Sequence, residues 1–336
     1  MSVNNRIFYA CQAVSLSGHG VGPSASSIVK GVQSVGITSN FTLDQAFELG
    51  QAEIYENIEE VADIEVSLEK VIDGEPLMYK MATATATGTE LDIVPASTAR
   101  CELFLGIYDD SVQSVASTNK RHVVHCSGMY IGSISYTYPV DGSATESMTL
   151  VGNDKFWDND STAAAGAIPV APSTSWANGL ATGLTGTDTP ASGIVRRTGV
   201  DIANCTIPAD IPNVGDNKGH IQSISVSADF GRENILELGT FGPYYRYATF
   251  PFETTCEIET IATQGDQVAV SGAAQNLQAR TIIITDSAGT RLDLGTQNKL
   301  TSVSYTGGDT GGGNATVTFS YSTFNKLSVN GPGISA

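Results

Sequence analysis

Two short stretches of this sequence bring potentially reactive side chains together. The first, HVVHC at 122–126, holds two histidines and a cysteine, residue types that bind zinc. On a strand, however, His122 and His125 point to opposite faces, whereas His122 and Cys126 share a face about 13 Å apart. The spacing therefore favours ordinary strand positions over a metal site.

The second stretch is GGDTGGGN at 307–314, whose Asp309-Thr310-Gly311 looks like an aspartic-protease loop. That chemistry needs two carboxylates that share a proton, and the aligned stretch of the first half reads PVDGSA. A phosphate-binding loop is also poorly supported, because no Lys-Ser/Thr pair follows the glycines. Gly and Asp between alternating runs predict a hairpin turn. We therefore predict no catalytic residue, no metal and no cofactor, and an enzyme using Asp309 is a distant alternative.

Negative charge is concentrated in one part of the chain. The formal net charge is −18, and the segment 44–75 holds eleven carboxylates against the single base Lys70. Such a balance disfavours tight binding of nucleic acid, because phosphates would be repelled. Taken alone, the acidic run is most simply a solvated strand face and loop.

The sequence repeats itself at a distance of about 190 residues. GVQSVGITSNFTLDQAFELG (31–50) matches HIQSISVSADFGRENILELG (220–239), and in both copies apolar and small polar residues alternate. The match continues, with one inserted residue, into DIEVSLEKVIDGE (63–75) and ETTCEIETIATQGD (253–266), and GSISYTYPVDGSATESMTL (132–150) resembles TSVSYTGGDTGGGNATVTF (301–319). Alternation with a period of two predicts strands with one buried and one solvated face.

Four carboxylates lie on the solvated parity of the paired strands: Glu65, Glu69, Glu257 and Glu259. Their neighbours Val66, Leu68, Cys256 and Ile258 lie on the opposite parity and are predicted to be buried. Because acids recur in both copies, the pattern favours a functional role for this face more strongly than a single acidic run would.

The fold class predicted from these patterns is mainly β, with two tandem antiparallel β-sandwich or open-barrel domains. We divide the chain into an N-terminal strand or arm (1–30), with a strand around residues 6–15, a first domain (31–158), an irregular connection (159–217) and a second domain (218–336). The connection is rich in Ala, Gly, Thr, Ser and Pro, and we predict either a contact arm or disorder there.

The remaining signals concern the compartment. The five cysteines are irregularly spaced, so we expect reduced, packed thiols and not a disulfide framework. The N-terminus lacks the pattern of a secretion signal, and no apolar run is long enough to cross a bilayer. We therefore expect a soluble protein that is made in the cytoplasm and no membrane partner.

The S-x-[SG]-[VI]-x-x-x-F strand, the [FL]-E-L-G turn, IYENIEEVADIEVSLEKVIDGEPLMY and YPVDGSATESMTLVGNDKFW together resemble tail tube proteins of long-tailed bacteriophages. The resemblance covers most of 31–158 and, through the repeat, 220–325. It implies β-sandwiches whose inner sheets join in a ring of sixfold or pseudo-sixfold symmetry, with rings stacked into a hollow tube. Family tubes commonly have one such domain per chain, so two domains imply a ring of three chains or of six.

The resemblance also implies a function without catalysis. The subunit would pack with itself in the virion tail, enclose genomic DNA and the tape-measure protein, and meet sheath, terminator and baseplate proteins. Glu65, Glu69, Glu257 and Glu259 would then face the lumen. The alternatives are a hub ring protein of the tail tip or baseplate and a carbohydrate-binding β-sandwich module.

Overall fold

A computed structural model of the chain describes residues 6–9, 12–22, 27–76, 90–108, 120–159, 193–212, 219–263, 268–272, 277–308 and 313–331. Within these ranges the protein is mainly β, as predicted, and its strands pair antiparallel. The first-half strands are β1 (Gln12–Gly18), β2 (Val32–Asn40), β3 (Leu43–Phe47), β4 (Ile54–Glu59), β5 (Asp63–Val71), β6 (Glu90–Asp92), β7 (Cys101–Tyr108), β8 (Lys120–Pro139), β9 (Thr145–Gly152) and β10 (Asp154–Asn159). The second-half strands are β11 (Ile221–Asp229), β12 (Arg232–Ile235), β13 (Tyr245–Ala248), β14 (Glu253–Ile261), β15 (Ile283–Thr285), β16 (Arg291–Asp293), β17 (Lys299–Thr306), β18 (Thr316–Phe324) and β19 (Ser328–Asn330).

Helical structure in the described residues is limited to short pieces. Helix α1 (Ile93–Ala96) and a 3-10 turn at Arg197–Gly199 connect strands. No helix in these ranges has the length and apolar composition needed to cross a bilayer.

One continuous sheet crosses both halves of the chain. Its main path runs β17-β18-β14-β11-β8-β9-β5-β2. Strand β8 is long enough to serve two sets of partners: its first part pairs with β7 and β10, and its second part pairs with β9 and β11. The strands β1, β7 and β10 therefore join the sheet through β8.

The repeat is visible in the strand order and in its irregularities. The first half contributes β2-β5-β9-β8 and the second half contributes β11-β14-β18-β17, so corresponding strands follow in the same order. A β-bulge occurs at Gln33 in β2 and at Gln222 in β11, and another at Gly132 in β8 and at Thr301 in β17. Because a bulge shifts the register at one defined residue, this agreement fixes which residues of the two halves correspond.

Alternation along each strand buries one face of the sheet. In β5 and β14 every second residue is buried, including Val66, Leu68, Cys256 and Ile258, as predicted. The buried apolar side chains of both halves form one contiguous cluster. Burial of apolar area at about 25 cal/mol per Å² makes this shared core the main stabilising contribution.

A smaller sheet also joins the halves, in the order β15-β16-β19-β6. Strand β6 comes from the first half and pairs with β19 near the end of the chain. Of the predicted connection, residues 193–212 are described, and they bind both halves: the Val195 backbone lies between Ile72 and Ala144, while Thr206 bridges Ile283. Residues 160–192 and 213–218 of the connection lie outside the described ranges.

Two hairpins extend from the sheet at corresponding places. Strands β3 and β4 form the first hairpin, and β12 and β13 form the second. Their tips carry the FELG and LELG turns, in which Gly50 and Gly239 adopt positive φ angles of 103° and 90°. Glycine adopts this conformation without strain, which explains why both copies of the turn end with it.

A buried carboxylate anchors the N-terminal strand, which runs Gln12–Gly18. Glu102 on β7 accepts hydrogen bonds from His19 Nδ1 at 2.5 Å and from His125 Nε2 at 2.7 Å, and the backbone N–H of Gly20 also donates to it. Burial alone would raise the pKa of the Glu102 carboxyl, but the hydrogen bonds from His125, Gly20 and Ser127 lower that pKa to about 2. His125 is therefore a structural residue, stacked on Phe104.

We expect Glu102→Gln to lower the free energy of unfolding at pH 7 by about 1–3 kcal/mol, because buried donors lose an ionised acceptor. The folded-state pKa lies below the unfolded value near 4.5, so the contribution is complete above that pH and is lost as the pH falls toward 2. Urea unfolding of both proteins between pH 7 and pH 2.5 measures this. A difference that stays constant over the whole range would contradict the prediction.

Candidate assembly surface

The solvated face of the main sheet is a continuous polar wall. Glu65 and Glu257 are exposed on it, and Glu69 and Glu259 are half-buried. The structure thus places all four predicted carboxylates on one face of one sheet. Around them stand Ser and Thr side chains from the eight strands β2, β5, β8, β9, β11, β14, β17 and β18.

Hydroxyl groups next to the carboxylates repeat between the two halves. Ser34 Oγ donates to Glu69 Oε2 at 3.5 Å, and the corresponding Ser223 Oγ donates to Glu259 Oε2 at 3.2 Å. Such long hydrogen bonds are weak, so these carboxylates keep most of their capacity to interact with solvent. On β2, β5, β9, β11, β14, β17, β18 and the part of β8 that pairs with β9 and β11, the cations are Lys70, which is buried, and Lys299, which lies at the sheet edge. Lys120 and Arg121 lie at the other end of β8.

The sheet holds an internal junction between the two copies of the repeat. Strand β8 pairs with β11 over the register Ser133↔Asp229 to Pro139↔Ser223. Val226 lies opposite Tyr136, and both side chains are fully buried. The last strand of one unit thus pairs with the first strand of the next, and apolar residues beneath the pair seal the contact.

The outer edges of the same sheet carry the counterparts of this junction. Strand β17 corresponds to β8 and β2 to β11, and each has one sheet neighbour in the described part of the chain. Tyr136 is 0% exposed at the internal junction, whereas its counterpart Tyr305 is 58% exposed on β17. Ile37, the counterpart of Val226, is only partly buried on β2. Each edge therefore exposes residues that the internal junction buries.

The other sequence candidates do not form a reactive site in the described ranges. No group of three His, Cys, Asp or Glu side chains is placed there as metal ligands would be. Cys101, Cys126 and Cys256 are buried free thiols and Cys205 is half-buried; burial raises the pKa of Cys126 and Cys256 to about 12. Asp309 and its neighbours through residue 312 lie outside the described residues.

Comparisons with known proteins give distant structural likenesses. No protein-family model matches the sequence, and no curated protein matches it significantly. The tube-terminating cap of the anti-feeding prophage is 13% identical over 47% of this chain and 95% of its own, with a TM-score of 0.34. A chain of the sheath-tube complex of an extracellular contractile injection system is 11% identical over 47% of this chain and 94% of its own, with a TM-score of 0.32. An Hcp protein is 9% identical over 44% of this chain and 98% of its own, with a TM-score of 0.24. At these scores the likenesses carry no argument about function.

Sequence reasoning did not identify which strands, β2 and β17, form the two sheet edges that have one neighbour in the described part of the chain. The signal was present, because the S-[IV]-S-Y-T motif places Tyr136 and Tyr305 at the same position of the repeat. Both tyrosines have the same parity, but only the strand order shows that Tyr305, which pairs with Val317 of β18, lacks a second neighbouring strand in the described chain. Five of the eleven carboxylates of the acidic run lie on the β3–β4 hairpin, which spans Leu43–Glu59.

Proposed function

We propose that this protein is a structural subunit of a hollow tail tube, in which β17 of one chain pairs with β2 of the next. The observation that carries the proposal is the internal β8–β11 junction, whose two halves reappear as the free edges β17 and β2. A head-to-tail contact of this kind is heterologous, and it generates a closed ring when the rotation per unit divides a full turn.

The internal junction supplies the register of the proposed contact. Since Val226 lies opposite Tyr136, Ile37 should lie opposite Tyr305 of the neighbouring chain. The resemblance to tail tube proteins supports a pseudo-sixfold ring, which three chains of two units each would complete. Three chains with eight main-path strands each would then form a closed sheet of 3 × 8 = 24 strands.

In a closed ring, the polar face of the sheet would form the wall of a central channel. With the apolar face buried outward, the Ser, Thr and Glu face would line the bore, and Glu65, Glu69, Glu257 and Glu259 would face passing DNA. A negatively charged wall repels phosphates and so allows DNA to move without being held. Tape-measure protein inside the bore, and sheath, terminator and baseplate proteins outside it, are the partners that this function requires in a virion tail.

A hub ring of the tail tip or baseplate is the second candidate function, since the same free edges would close such a ring. It differs from a tube subunit in capping the end of a filament without stacking on itself. Isolated rings that never stack, even beside other tail components, would favour the hub.

A register-specific disulfide tests the proposed ring. We expect Ile37→Cys with Tyr305→Cys, in a chain whose Cys11 and Cys205 are replaced by Ser, to give covalent trimers on oxidation and rings or tubes in electron micrographs. Ile37→Cys with Val303→Cys is the matched control, because diagonal neighbours at roughly 7–8 Å exceed the reach of a disulfide. Monomers at all concentrations, or equal cross-linking by both pairs, would refute the ring.

A further inference from the structure

The second hairpin is held against the first half of its own chain. Tyr245 Oη donates to the Thr98 carbonyl at 3.1 Å, and its ring packs edge-on against Tyr130 at 5.5 Å between centroids. Arg246, next along β13, forms an ion pair with Asp63 and also contacts Asn153 at 3.3 Å. The β12–β13 hairpin therefore reaches back across the unit that precedes it in the sheet.

Residues at the base of this hairpin complete the contact. The Phe230 backbone N–H donates to the Gly132 carbonyl at 2.9 Å, and the Phe230 side chain is 0% exposed. Arg232 Nε donates to the Ile131 carbonyl at 2.7 Å, with the guanidinium 5.2 Å from the centre of the Tyr130 ring. These hydrogen bonds and the contact of the guanidinium with Tyr130 fix the base of the hairpin on the preceding unit, while the Phe230 ring packs against Phe252 of its own half at 5.1 Å between centroids.

The first hairpin has the same position in the repeat, but in the part of the chain that the structure describes its corresponding residues are exposed. Phe41, the counterpart of Phe230, is 76% exposed. All six residues of β4 are exposed as well. The correspondence between the hairpins is residue by residue, because Leu43 pairs with Glu59 as Arg232 pairs with Ala248.

Charge distinguishes the two hairpins. From Phe41 to Ala62 the first carries six acids and no base, whereas the second carries two arginines and two glutamates between Phe230 and Phe252. Position by position, Glu56 replaces Tyr245 and Asn57 replaces Arg246.

The second-half residues that the first hairpin of another chain would contact also differ from their first-half counterparts. Strand register makes Lys299 the counterpart of Tyr130 and Glu253 the counterpart of Asp63. The aromatic pair Tyr245–Tyr130 thus becomes Glu56–Lys299, two exposed side chains of opposite charge. The ion pair Arg246–Asp63 becomes Asn57–Glu253, in which an amide can donate to a carboxylate.

We infer that the β3–β4 hairpin is a docking arm for a second copy of this chain, and that it lies over the β17–β18 end of the preceding copy with Phe41 buried and Glu56 beside Lys299. This inference rests on the proposed ring. It gives the two kinds of junction different contacts, so that a first half joins the second half of another chain more favourably than it joins another first half. First and second halves would then alternate regularly around the ring.

The charge pair is tested by reversal. With trimer formation measured by mass photometry over a concentration series, we expect Glu56→Lys and Lys299→Glu each to raise the half-assembly concentration about tenfold or more, and the double variant to recover most of that loss. Asp141→Lys makes the same change of charge as Glu56→Lys, but in the β8–β9 turn at the opposite end of the sheet, and it should have little effect on trimer formation.

The proposed burial of Phe41 is tested by a pair of phenylalanine variants on the same hairpin. Phe41→Ser should weaken trimer formation about tenfold or more, because its counterpart is fully buried. Phe47→Ser should not, because Phe47 is 65% exposed and its counterpart Leu236 is still 66% exposed on the docked hairpin. If the Ile37→Cys, Tyr305→Cys pair gives covalent trimers but the Phe41, Glu56 and Lys299 variants behave like their controls, the docking arm is refuted and the ring stands. If the cysteines never cross-link, the ring itself fails.

Discussion

Tyr305→Lys is expected to abolish ring formation while leaving the chain folded. Tyr305 is largely exposed in the single chain, so its replacement should change stability by less than about 0.5 kcal/mol. In the ring it would take the place that Tyr136 has at the internal junction, which is fully buried. An ammonium group buried there without a partner costs several kcal/mol at every seam. Sedimentation velocity would show a monomer at concentrations where the wild type assembles.

Two further variants make this result specific to the seam. Trp157→Lys introduces the same charge at an aromatic of similar exposure on β10, outside the proposed contact, and should assemble normally. Adding Ile37→Glu to Tyr305→Lys places opposite charges across the seam and should restore part of the assembly. A Tyr305→Lys protein that forms rings as well as the wild type would overturn the proposed edge pairing.

Replacing Glu65, Glu69, Glu257 and Glu259 together by Lys is expected to slow the ejection of DNA. Each chain would change by eight charge units on the face that is proposed to line the bore, and the fold should survive because the four side chains lie on the solvated face. Lysines facing phosphates bind them with an affinity that falls steeply as salt rises. Ejection should therefore be slowest at low salt.

Ejection assays with virions that carry the variant would measure this over a range of salt concentrations. The matching Glu→Gln variant removes the four negative charges without adding positive ones, so it should retard DNA much less. If the Lys virions assemble and eject DNA at the wild-type rate at every salt concentration, the four carboxylates do not line the channel.

Much of the secondary structure follows from local patterning. Alternation predicted β5 and β14, their buried residues and the solvated position of the four carboxylates, because a strand has only two faces and each residue must take one of them. The recurrence of S-[IV]-S-Y-T likewise identified β8 and β17 as related strands.

The neighbours of those strands could not be read from the same patterns. Parity states which face is buried, but partners in a sheet are set by contacts between residues far apart in the chain. Nothing local to Lys120–Pro139 reveals that its two parts pair with different strands. The exposure of Phe41 was unpredictable for the same reason, since its type and spacing match those of Phe230.

The covalent link between the two units has a consequence for the order of assembly. At the β8–β11 junction the second partner is already tethered, so its effective concentration does not depend on how much protein the cell has made. Only the contacts between β17 and β2 must then be found by diffusion, and only those cost translational freedom. A ring of three such chains brings together half as many bodies as a ring of six single units. Its formation should therefore depend less steeply on protein concentration, and the duplicated chain is in this sense a third of a ring that has already been assembled by translation.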